Sequence, residues 1–169
     1  NLGRIDLITQ AFQSCYLEKK DTDVYFVNLI NNTDIDYSRY KFFYVNYLIS
    51  QNKFDEIKEI VNEIDTLNST LLVLQLKNWV DNKKFKKITE IFSCNNESDI
   101  LSEFFFIIAN LYSSQEEYEN SNLFLNIANF LNPKFRFNTS LIVENNFGNE
   151  NYKKTKILLN RFNKKDEIY

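Results

Sequence analysis

The sequence predicts an all-α chain folded as an α-solenoid (superhelix) of antiparallel helix–turn–helix repeats. Three observations carry that expectation. Apolar residues recur three and four positions apart along nearly the whole chain, the spacing of a helical face and not of a strand. Glycine and proline number only 2 and 1, and no Asn-Gly or Asp-Gly pair separates the apolar runs, so tight β-hairpins have no material. A dense apolar segment, a polar turn, an opening aromatic and a sparser amphipathic segment then recur in that order. The opening aromatics lie 31 residues apart from Phe54 to Phe85, 33 from Phe85 to Tyr118 and 34 from Tyr118 to Tyr152. A period in that range with two helices per unit marks a helical repeat array.

The elements follow in order. Ile5, Ile8, Phe12 and Cys15 share one face of a helix over residues 2–17. Asp21 and Thr22 are caps for a second helix through Val24, Val27 and Ile30, which a polar stretch from Asn31 to Asp36 ends. Residues 1–37 therefore form a diverged N-terminal helical pair. Four repeats follow over 38–165, divided as 38–68, 69–101, 102–135 and 136–165. Their helices are expected at 40–49 and 54–67, 71–80 and 85–92, 104–112 and 118–131, and 139–147 and 152–162. Residues 166–169 read as the start of a further helix, so the parent protein is expected to continue past Tyr169, and the absence of Met makes Asn1 a processed or excised end.

The third repeat resembles the tetratricopeptide repeat (TPR) family. Its first helix carries bulky Phe105, then Ile108, small Ala109 and Tyr112. Its second carries Tyr118, small Ser121, Leu125 and small Ala128, with Pro133 closing it. Small residues let neighbouring helix backbones approach, and a proline just past the helix forces the chain to turn. The other repeats match more loosely, and branched or polar residues such as Gln75 and Asn95 replace apolar or small ones. The family's turn glycine is missing from the first three repeats, where asparagine, which tolerates positive φ, is expected to compensate.

Chemistry is scarce. Without histidine, the commonest general base and metal ligand is gone. Paired carboxylates such as Glu116-Glu117 and Glu56 with Glu59 read as solvated faces, and no glycine-rich phosphate loop is present. Asp34, Asp36 and Asp99 are helix-cap candidates and not metal ligands. Cys15 and Cys94 lack zinc or redox spacing and read as two buried thiols, bridged only if the protein is exported. The Asn-x-Ser/Thr matches at Asn31 and Asn68 are discounted, because asparagine is frequent throughout. No enzyme, cofactor or metal is expected.

The formal charge of -3 argues against nucleic acid, and so do the only basic concentrations, Lys77, Lys83, Lys84, Lys86 and Lys87 with a lesser one at Lys153, Lys154 and Lys156, which cluster around the inter-helix turns and form no continuous basic track. An RNA-reading repeat is the remote alternative. No apolar run is long enough to span a membrane. The expected compartment is cytoplasmic, with export or a periplasmic location after signal-peptide removal as the alternative.

The TPR resemblance implies that first helices line a concave groove. Its residues would include Phe42, Phe43, Asn46, Val73, Lys77, Phe106, Ile107, Asn110, Ser140 and Glu144. Because the first helices of the first and third repeats are apolar nearly all round, an amphipathic helix or peptide of a partner protein is the expected occupant. The alternative is a structural segment of a larger or self-associating assembly protein.

Overall fold

The computed structural model of the chain describes residues 5–32, 36 and 38–160, and among them there are ten α-helices and no strand. The all-α expectation holds. The chain divides into two units at Glu97/Ser98. The N-terminal unit contains α1 (Ile5–Tyr16), α2 (Thr22–Ile30), α3 (Tyr40–Ser50), α4 (Phe54–Asn62), α5 (Leu71–Asp81) and α6 (Phe85–Ile91). The C-terminal unit contains α7 (Glu97–Ser113), which starts at the division, α8 (Tyr118–Leu131), α9 (Asn138–Gly148) and α10 (Tyr152–Leu159). The cap expected at Asp34, the end expected for the last helix and the further helix expected over 166–169 lie outside the described residues.

All five hairpins turn by the same device. One residue after the first helix takes a left-handed conformation: Glu18 (φ 50), Asn52 (φ 59), Lys83 (φ 56), Glu116 (φ 62) and Glu150 (φ 55). The next backbone N–H reaches back five residues, as in Lys53 N to Leu48 O (3.0 Å), Lys84 N to Trp79 O (2.7 Å) and Glu117 N to Tyr112 O (3.0 Å). This is the Schellman closure, which satisfies carbonyls at the helix end. From Asn52 onward these corners keep the spacing of the opening aromatics, each lying two residues before one. Glu18 adds a fifth member 34 residues before Asn52, so the diverged first pair shares the corner. Asparagine occupies the left-handed position only at Asn52. Lysine and glutamate hold the others, so the expected asparagine compensation is confined to one turn.

Two helix boundaries differ from expectation by more than a turn. α4 stops at Asn62 because Asp65 bonds the backbone N–H of Leu67 (2.8 Å) and the side chain of Asn68 (2.7 Å), fixing a local turn that competes with helix. α7 begins at Glu97, about two turns early, which places Asp99 inside the helix instead of at its cap. The early turns are held by a polar anchor: Ser102 Oγ, buried, donates to Ala128 O of α8 (2.8 Å).

The N-terminal core is aromatic. Phe12 of α1 meets Phe26 (6.2 Å), Phe43 (5.2 Å) and Phe92 (5.8 Å), and Phe43 meets Phe92 at 4.6 Å. Edge-to-face and tilted rings each add about 0.5–1.5 kcal/mol beyond the area they bury. The same contact between α1 and the segment after α6 brings Cys15 and Cys94 together, Cα atoms 5.9 Å apart, and they form a disulfide. The expectation of two ordinary thiols is thus corrected. Both sulfurs are interior, as expected, but they are joined across a separation of 79 residues that no local spacing encodes.

The C-terminal unit is built differently. Its apolar centre is Ala109, Leu125, Leu141, Ile142 and Leu158. Beside it Asn145, buried, joins three helices: it accepts from Ser113 Oγ of α7 (2.6 Å) and donates to Ser121 Oγ (2.7 Å) and Asn122 Oδ1 (3.1 Å) of α8. A buried amide with both ends bonded fixes helix register more tightly than an apolar side chain would.

Candidate functional site

The ten expected groove residues separate by unit. Phe42, Phe43 and Val73 are 0–1 % exposed and belong to the N-terminal core, where no partner side chain reaches them. Asn46, also buried, donates from Nδ2 to Ile88 O (3.0 Å) and Phe92 O (2.8 Å), so it ties α3 to the end of the short α6. Lys77 is half-buried, donating to Val61 O (3.2 Å) with Asp81 at 3.8 Å. These residues hold the fold.

Those of the C-terminal unit stand closer to solvent. Phe106 and Ile107 are half-buried and Asn110 is exposed. Ser140 spends its hydroxyl on Phe137 O (2.7 Å). Glu144 is exposed, yet partial desolvation pushes its carboxyl pKa above the ordinary value. Phe106 and Val143 rest on the same apolar centre, and the Ser113–Asn145 bond sets α7 beside α9.

The helix that stands out is α7. Five consecutive apolar residues, Phe104 through Ile108, are each neither buried nor fully exposed. Successive residues on a helix step by about 100°, so these five sample every direction round the axis. α8 covers part of this surface: Phe124 stacks on Phe105 (6.1 Å, 18°) and on Tyr112 (5.4 Å, 8°). The remainder of each side chain is left in water.

A second apolar surface, absent from the sequence reading, runs along α8. Leu123 and Phe130, two turns apart on one face, are 56 % and 85 % exposed. Their spacing is legible in the sequence, but so is that of the buried row Ser121, Leu125 and Ala128, and periodicity alone does not tell which row faces inward.

Among the described residues no group of three or more His, Cys, Asp and Glu side chains could hold a metal ion, and no helix is long and apolar enough to cross a membrane. The lysines singled out for nucleic acid include Lys83, which forms a turn corner, and Lys86, which faces Glu90 at 3.5 Å.

The class these features define is an all-α protein of helical hairpins. Compared with protein-family profiles, with curated proteins and with solved structures, the chain matches none of them.

Proposed function

We propose that the chain is a non-enzymatic protein-binding module whose hairpins belong to a tetratricopeptide-like solenoid, and that its docking surface lies on α7 and α9. The repeated left-handed corner supports the repeat reading. The observation that carries the function is the α7 run of half-covered apolar side chains: a helix with apolar surface in every direction gains by burying the rest. Covering about 300 Å2 of such surface contributes on the order of 7 kcal/mol before the costs of association, enough for an amphipathic helix to dock. The N-terminal unit contributes no groove in this reading. Its first hairpin meets the end of its third, whereas a plain stack joins neighbours alone.

The test selects helical peptides against the full chain from a displayed library and measures their affinity for Ile107→Gln. Ile107 is half-buried, so helicity by circular dichroism should persist while affinity falls at least about tenfold. Unchanged affinity removes α7 from consideration.

A second reading, a segment of a self-associating assembly protein, is favoured by Leu123 and Phe130. If they pair two copies, Phe130→Asp should convert a concentration-dependent sedimentation profile into that of a monomer. The disulfide supports the exported alternative over the cytoplasmic one, because such bonds persist in oxidising compartments.

A further inference from the structure

The C-terminal unit holds a half-open cavity of about 430 Å3 lined by α8, the α8–α9 connection, the start of α9 and α10, with no residue of α7 among its walls. Its wall is a row of three asparagines on α8, Asn122, Asn126 and Asn129, spaced i, i+4 and i+7 and therefore on one face. Asn145 takes the carbonyl oxygen of Asn122, which leaves that side chain's NH2 as a donor for the cavity. The side chains of Asn126 and Asn129 have no hydrogen-bond partner among the described residues. Each of them therefore offers a donor and an acceptor.

Two cations line the same cavity: Arg136, from the α8–α9 connection, and Lys154, on α10. The ammonium of Lys154 has no ion-pair partner among the described residues, and no carboxylate is among the lining side chains. Ile142, Ile157 and Leu158 supply an apolar floor. The lining side chains thus bring cations and no carboxylate, in a chain whose formal charge is -3.

We propose that this cavity binds a small organic acid, its carboxylate between Arg136 and Lys154, an amide or hydroxyl on the asparagine row and an aliphatic group on the floor. An inorganic anion would leave the floor unused. A neutral apolar molecule would leave two cations and three amides without new partners, which is costly once water is displaced. The volume lies within the range of small-molecule sites and suits a ligand the size of an N-acylated amino acid.

The test uses the full chain labelled with 15N and three probes: N-acetyl-leucine, its neutral amide and inorganic phosphate. N-acetyl-leucine should shift the side-chain amide signals of Asn126 and Asn129 saturably, with a Kd of about 1 mM, as expected for a dozen heavy atoms. The neutral amide should bind about tenfold more weakly, and Lys154→Gln should impose a similar loss with an unchanged melting temperature. A tripeptide ending in leucine separates the two sources of this chemistry. Tighter binding than N-acetyl-leucine assigns the site to a chain terminus, and weaker binding to a free acid. Shifts that never saturate, equal affinity for the neutral amide, displacement by equimolar phosphate, or a Lys154→Gln variant that binds as well as the parent would each overturn the proposal. A failure of the α7 test leaves this one standing, since neither probe nor variant touches α7.

Discussion

Breaking the Cys15–Cys94 bridge should loosen the N-terminal unit by an amount that its loop length sets. The bond closes 79 residues. In the chain-entropy description, freeing a loop of that length returns to the unfolded state about 15 cal/mol/K, or about 4.5 kcal/mol at room temperature, and measured losses commonly run about 2–4 kcal/mol. For a unit of this size each kcal/mol moves the melting temperature by about 4–8 °C, so reduction should lower it by at least about 10 °C. Trp79 is the chain's single tryptophan and is buried in this unit, so its fluorescence reports the unit's own transition. Melts with and without reductant, and of Cys15→Ala/Cys94→Ala, should show the same drop. The reasoning is refuted if the transition stays within about 2 °C, or if both thiols of the unreduced chain alkylate once denatured.

Other outcomes follow from particular contacts. Asn46→Leu keeps the volume but strips two buried carbonyls of their donor and should cost about 2–4 kcal/mol, read as a lower urea midpoint of Trp79 fluorescence. Lys83→Gly should stabilise the α5–α6 corner by about 0.5–1 kcal/mol, because lysine there holds a left-handed φ that glycine adopts freely, whereas Asn52→Gly should gain less. Asp23 accepts a 2.5 Å bond from Lys53; that bond, and after it the nearby negative charges, raise the lysine pKa against partial desolvation, which lowers it. A raised lysine stabilises the fold below its unfolded pKa and loses that contribution as pH climbs through the folded value. Asp23→Asn should therefore cost about 0.5–1 kcal/mol at neutral pH and nothing at strongly alkaline pH, measured by parallel urea melts.

The helical plan was legible because it is written locally. α8 spans Tyr118–Leu131 as its apolar spacing foretold, and each opening aromatic after the first hairpin starts a helix. What escaped is non-local or polar. The first two turns of α7 carry Glu97, Asp99, Ser102 and Glu103, which read as connection, yet Ser102 and Glu103 are buried. Phe42 and Phe43 looked available for a groove because nothing near them in sequence shows that Phe12 and Phe92 close over that helix. The bridge stood only as the alternative for an exported protein, because nothing near either cysteine in sequence shows that the two meet. The asparagine row on α8 was visible as spacing, but its meaning depends on Arg136 and Lys154 arriving from other elements.

The covalent tie also decides how this chain would behave under load. Pulling on its two ends transmits force through the sulfur–sulfur link and bypasses the chain between Cys15 and Cys94, a sequence separation of 79. Roughly 270 Å of contour therefore stays hidden until a reducing agent releases it. Single-molecule extension should show a short oxidised trace, and a longer one only after reduction.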